Sequence, residues 1–271
     1  MKKHKVKIQC AGKMISLIIL QPSHKKETGR GLLWIHGGGY ALGMASMVYI
    51  SRARNLVDKF GVTVISPEYR LSKEAPYPYP MLDCYDALLY MKKHADELGI
   101  RDDQIMIGGE SAGGGLCAAV CLYARDRKEV NIACQFPLYP MLDDRDTESS
   151  KDNHAPVWNT KRNHWAWNLY LRNLADEIPS YAAPARETDY SNLPPAYTFV
   201  GDIEPFYCET LAYISRLKEA GIEASADVYP GCFHAFDMLT PWRKISRQAA
   251  KQFEHKFEYA IHHYHKKQDK S

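Results

Sequence analysis

Residues 104–124 read "QIMIGGESAGGGLCAAVCLYA", and the way this stretch changes character decides the fold. It opens as a short apolar strand and closes as a small-residue helix running from Ser111 to about Arg127. Between them five glycines and an alanine enclose one serine. Glycine inside regular structure costs roughly 0.5–1 kcal/mol against alanine, so this density needs a geometric reason. Gly109-Glu110-Ser111-Ala112-Gly113 fits G-x-S-x-G, a strand-to-helix turn that thrusts a serine hydroxyl outward and needs tiny neighbours so that strand and helix do not collide. Glycine-rich strand ends also bind phosphates. Here, however, no Lys-Ser/Thr follows and no G-x-G-x-x-G register fits.

The same alternation extends in both directions. "VKIQC" and "ISLIILQP" flank "AGK" and read as an opening β-hairpin, and Gly31 to Ile35 is an apolar strand ending in glycines. A helix over Met47–Phe60 stops at Gly61, "VTVIS" follows as a strand, and a helix from about Pro80 to Leu98 stops at Gly99. Beyond the serine come strands "IACQFPLY" and "AYTFVG", a helix over Pro205–Ala220, strand "EASADVYP" and a last helix over Pro241–His263. Strands alternating with helices imply parallel crossovers: an α/β fold with a mostly parallel central sheet and helices on both faces, here one domain over residues 1–271. Residues 142–195 break the pattern. They are polar and proline-punctuated and carry Trp158, Trp165, Trp167 and Tyr170, which suits a lid or pocket wall more than a connector; the plain alternative is a surface helical excursion.

A serine hydroxyl is a weak nucleophile until a base takes its proton, so the motif calls for a histidine and for an acid that fixes its tautomer. A second constellation, "HGGGY" from His36 to Tyr40, ends the strand "LLWI". Acyl transfer builds negative charge on a carbonyl oxygen, and main-chain amides free of side chains can approach it closely. Gly38 and Gly39, with Ala112 after the serine, are the expected oxyanion donors; a flexible glycine turn is the alternative.

Together, "HGGG" and "GESAGG" resemble the hormone-sensitive-lipase-like branch of the α/β-hydrolase carboxylesterases. "YRLSKEAPYPYPMLDCYDAL" (Tyr69–Leu88), "YAAPARETDYSNLPPAY" before the acid and "YPGCFHAFD" at the histidine extend the resemblance over roughly residues 31–240. It implies an α/β-hydrolase fold with the base at His234, where Ala235 replaces the family's glycine and asks for an ordinary backbone. The acid falls at Glu204, from the stretch Glu204-Pro205-Phe206-Tyr207-Cys208-Glu209, with Asp202 as rival. His36, Gly37 and Glu110 support the motifs, His36 holding its loop rather than acting as a base. Tyr40, Trp158, Trp165, Trp167 and Tyr170 are the candidate pocket wall. The expected activity is hydrolysis of short-chain carboxylic esters, small-molecule substrates, with no metal and no organic cofactor. Two alternatives stay open: a peptidase or amidase, and a catalytically silent binding protein of the kind that keeps the pocket and loses the histidine. The resemblance also leaves room for a homodimer.

Composition bounds the rest. At 271 residues, 45% hydrophobic and 25% charged, the chain can build a sizeable core. The net charge of +3 comes largely from Met1–Lys7 and the tail "HHYHKKQDK", which read as solvated termini and not as a nucleic-acid surface. Seven cysteines without C-x-x-C spacing read as free thiols in a reducing compartment. "MISLIIL" (Met14–Leu20) is far short of the roughly 20 residues of a membrane span and has no cleavage site after it, so a cytoplasmic location is expected.

Overall fold

The computed structural model describes residues 1–23, 29–175 and 177–269. Residues 24–28, 176 and 270–271, which belong to the polar turn, the 142–195 insertion and the basic tail of the sequence reading, lie outside the described residues. The chain opens with β1 (Lys2–Cys10) and β2 (Lys13–Gln21), paired antiparallel. Their two-residue turn has positive φ at both Ala11 (38°) and Gly12 (84°), the backbone twist that joins such strands without splaying them. Then follow β3 (Gly29–Ile35), a 3₁₀ turn (Ala45–Tyr49), α1 (Arg52–Phe60), β4 (Thr63–Pro67), α2 (Tyr79–Lys93), α3 (Ala95–Leu98), β5 (Ile100–Glu110) and α4 (Ala112–Arg127). The second half runs β6 (Cys134–Leu138), α5 (Thr160–Leu171), a 3₁₀ turn (Pro184–Arg186), β7 (Ala196–Gly201), α6 (Tyr207–Glu219), β8 (Ala224–Tyr229), α7 (Phe236–Leu239) and α8 (Lys244–His263).

The eight strands form one sheet in the order β1-β2-β4-β3-β5-β6-β7-β8. Every pairing from β4 onward is parallel, and β1 and β2 run antiparallel. Alternate side chains of the strands feed two cores. Leu33, Ile35, Ile105 and Ile107 meet Cys84, Leu88 and Met91 of α2 and the small face of α4. Leu32, Trp34, Met106 and Phe136 meet Leu56 of α1 and Phe253 and Phe257 of α8. Burial on both sides explains why β3 to β6 read as continuous apolar runs instead of alternating ones.

Two helices differ from the sequence reading. The expected Met47–Phe60 helix divides at Ile50–Ser51 into a 3₁₀ turn and α1, and the expected Pro80–Leu98 helix divides at His94 into α2 and α3. In each case the break carries backbone bonds to the preceding turn, Ile50 N–H to the Met47 carbonyl and His94 N–H to the Tyr90 carbonyl, so the divided segments stay hydrogen-bonded. Among the described residues no helix is long and apolar enough to cross a membrane. All seven cysteines are free, and only Cys208 among them is not buried.

Candidate active site

Ser111 sits at the joint between β5 and α4 with φ 59° and ψ −122°, a conformation that costs an L-residue on the order of 1–3 kcal/mol. The main chain holds it there. Ser111 N–H donates to the Leu138 carbonyl (3.0 Å), while its own carbonyl accepts from Gly115 (3.0 Å) and Met141 (3.1 Å). The glycines make the joint sterically possible. A Cβ on Gly109 would lie 2.6 Å from the Ile35 carbonyl oxygen, and one on Gly113 would run into the same oxygen, so no side chain fits where β5, α4 and the end of β3 converge.

His234 enters from the loop after β8. Its Nε2 lies 2.8 Å from Ser111 Oγ, and its Nδ1 meets Glu204 Oε2. Glu204 is fully buried in the loop after β7, where its other oxygen accepts the Gly201 N–H at 3.0 Å. Tyr139 and Phe206 pack edge-on against the imidazole at 5.1 and 5.0 Å between ring centroids, so the ring is clamped as well as hydrogen-bonded. Asp202 lies elsewhere: its Oδ1 accepts the Gly231 N–H (2.7 Å) and ties the loop after β7 to the turn after β8. Of the two carboxylates weighed in the sequence, the structure brings Glu204 to the histidine.

Ala235 departs from expectation. Its backbone is not ordinary but left-handed, with φ 58° and ψ 28°. The loop keeps the conformation a glycine would favour, and Ala235 lines the cavity beside His234.

The glycine loop after β3 turns back on itself through Ala41 N–H and Leu42 N–H bonds to the Gly38 carbonyl, with φ 122° at Gly38 and 58° at Gly39. Among the described residues, neither the Gly38 nor the Gly39 amide donates to another protein group. Ala112 opens α4, so its amide belongs to the first turn, where no intrahelical acceptor exists. Gly37 and Gly38 line the cavity, and the Trp158 indole lies against Gly39. His36 is buried and stacked on Tyr69 at 4.2 Å, its Nδ1 bonded to the Gly37 carbonyl (2.8 Å). Burial lowers its pKa to about 4, leaving it neutral above that pH and suited to holding the loop. Glu110 points away from the hydroxyl and accepts the Trp34 indole N–H at 2.9 Å. Burial, reinforced by the charge of Asp237, raises its pKa to about 8.

The cavity over Ser111 has a volume of about 520 Å³. Of the aromatic residues singled out in the sequence, Trp158 and Trp165 line it; Tyr40, Trp167 and Tyr170 do not. Tyr40 is buried, stacks on Tyr170 at 4.1 Å and donates its hydroxyl to the Met141 carbonyl (2.8 Å), so these three rings belong to the core beneath the insertion. Leu42, Met47, Tyr139, Val157, Arg162, Met238 and Leu239 also line the cavity and were not singled out; they carry no shared motif and come from separate loops and short helices. Glu209 is a further residue that sequence reasoning gave no role: buried, it accepts the Leu142 N–H at 2.6 Å and fixes the start of the insertion. Ser149 and Asn153 bond the insertion to the Pro205 carbonyl (2.6 Å) and the Ile203 carbonyl (3.0 Å), on either side of Glu204.

Comparison with known proteins follows the same lines. A family model described as the alpha/beta hydrolase fold matches residues 32–238. An arylesterase of Saccharolobus solfataricus is 32% identical over 215 residues, 78% of this chain and 70% of the relative. An ethyl acetate hydrolase of Pseudomonas putida is 27% identical over 211 residues, 77% of this chain and 66% of the relative. Among solved structures, a bacterial heroin esterase superposes with a TM-score of 0.89 at 35% identity, covering 93% of this chain and 81% of that one. A hyperthermophilic esterase from the archaeon Pyrobaculum calidifontis superposes with a TM-score of 0.85 at 30% identity and the same coverage.

Proposed function

The chain belongs to the α/β-hydrolase fold family, in its hormone-sensitive-lipase-like branch, and on that premise we propose that it is a carboxylesterase working through an acyl-enzyme on Ser111. His234 Nε2 takes the proton from Ser111 Oγ as that oxygen attacks the ester carbonyl. Glu204 keeps the remaining N–H on Nδ1 and stabilises the imidazolium that forms. The amides of Gly38, Gly39 and Ala112 receive the negative charge on the carbonyl oxygen. The imidazolium then protonates the departing alcohol oxygen, and the ester C–O bond breaks. Water, deprotonated by the same imidazole, releases the acid and restores the serine.

One observation carries the reading: His234 bridges Ser111 and Glu204 in a continuous hydrogen-bonded chain at the floor of a cavity. The substrates fit short-chain acyl esters. Supporting this are the likeness to a protein named for ethyl acetate and a cavity of about 520 Å³ that must hold acyl and alcohol parts together. Residues 142–195 act as its cover within a single domain, since Trp158 reaches over Gly39 and toward His234, 6.2 Å between ring centroids. The test is steady-state turnover of p-nitrophenyl acetate by Ser111→Ala. A fall in kcat of about 10⁴-fold or more is expected; turnover at the wild-type rate would overturn the proposal.

A further inference from the structure

Arg162 is an exposed residue that lines the same cavity as Ser111 and His234, whose lining is otherwise largely apolar. It occupies the first turn of α5, where the helix dipole disfavours a cation, and that turn contains no acidic residue. Among the described residues no ion pair engages it; its side chain bonds only the Val157 carbonyl, through Nη1. Val157 is itself unusual. It is a β-branched residue with φ 71°, at the centre of a γ-turn closed by Trp158 N–H to the Pro156 carbonyl (2.9 Å). That conformation is rare and strained for such a residue. The turn presents its carbonyl to the guanidinium and so anchors one edge of it, and among the described residues the Nε and Nη2 donors have no protein acceptor. A guanidinium presents planar, paired donors that match the two oxygens of a carboxylate. One turn along α5, Trp165 also faces the cavity, 41% exposed, and Lys73 Nζ sits 5.7 Å from its ring centroid, adding a second positive charge at the same rim.

We propose that Arg162 is a specificity-determining residue that selects anionic aromatic esters, with the arene against Trp165 and a carboxylate on the free edge of the guanidinium. This rests on the ester-hydrolase reading above and names its substrate class. Water hydrates the exposed guanidinium, and a carboxylate entering with the substrate meets donors that no acidic side chain among the described residues occupies.

The experiment compares kcat/KM for 4-acetoxybenzoate and its uncharged counterpart 4-acetoxybenzamide. A second pair, phenyl hydrogen adipate and phenyl adipamate, places the charge on the acyl side. Wild type is expected to favour the anion in at least one pair, through KM, with the preference shrinking in high salt. Arg162→Met should lower that anion-to-neutral ratio about tenfold, the scale of one lost charge-assisted hydrogen bond, and Arg162→Lys should restore part of it. Taking the ratio cancels any general loss of active enzyme. Turnover of all four esters with ratios indifferent to Arg162 overturns the inference and leaves the hydrolase reading intact. Absence of turnover of any ester by wild type overturns the hydrolase reading and the inference with it.

Discussion

Ser111 Oγ and His234 Nε2 stand 2.8 Å apart although 123 residues of chain separate them. The sheet makes this possible: β5 ends at Glu110, immediately before Ser111, β7 and β8 lie further along in parallel, and the loops leaving their carboxyl ends deliver Glu204 and His234 to the same side. An arrangement built from three strand ends is stiff, and single substitutions at it should have separable effects.

Glu204 touches the imidazole and Asp202 caps Gly231, so the two carboxylates should respond differently to amidation. Glu204→Gln should reduce kcat by roughly 10³–10⁴-fold, because an amide no longer selects the Nδ1–H tautomer or stabilises the cation. Asp202→Asn should keep kcat within a few-fold, its remaining oxygen still able to accept the Gly231 N–H. Steady-state kinetics on an acetate ester decides it; the reverse order of effects would reassign the acid.

At Gly38, φ is 122° and an added Cβ would stand 2.6 Å from the Leu42 carbonyl carbon. Gly38→Ala must therefore displace the turn that aims the Gly38 and Gly39 amides. Misplacing one such donor costs about 10²–10³ in kcat. A variant that folds by circular dichroism yet keeps wild-type kcat would show that these amides do not serve the oxyanion.

Ala235 carries a Cβ at φ 58°, where glycine has no steric penalty. Ala235→Gly relieves that strain but enlarges the freedom of the unfolded chain. The relief outweighs the added chain entropy, so a gain of about 0.5–1 kcal/mol in urea unfolding is expected. A loss of stability would show that the Cβ makes packing contacts worth more than its backbone cost.

Glu110 fixes the sign of one pH effect on stability. Burial raises its folded-state pKa from 4.5 to about 8. Its contribution is fully present below the unfolded-state pKa and is lost as pH rises through about 8, because the unfolded chain releases the proton first. Wild type should lose on the order of a few kcal/mol from this group across that window, and Glu110→Gln, which can still accept the Trp34 N–H, should show a flatter stability profile. Identical slopes from chemical denaturation between pH 5 and 8 would remove Glu110 as the cause.

Much of this was legible in the sequence because the strongest constraints are local. Gly109 and Gly113 are dictated by the collision of β5, α4 and β3 around Ser111, and the spacing from Glu204 to His234 follows from one intervening α6–β8 unit. What stayed hidden depends on long-range packing. Tyr40 and Tyr170 look like pocket aromatics until their stacking across the fold places them in the core, together with Trp167. The left-handed Ala235 is invisible because alanine gives no sign of positive φ. Arg162 and Val157 read as ordinary members of a polar insertion, since a γ-turn and a guanidinium held beside a cavity arise from how the chain packs and not from composition.

Whether the imidazole of His234 makes the Ser111 oxygen reactive is read by treating the protein with a fluorophosphonate and locating the adduct by peptide mass mapping. One adduct per chain is expected, on Ser111, absent from Ser111→Ala and formed far more slowly in His234→Ala. Unlabelled wild-type protein, or labelling at equal rates with and without His234, would contradict it.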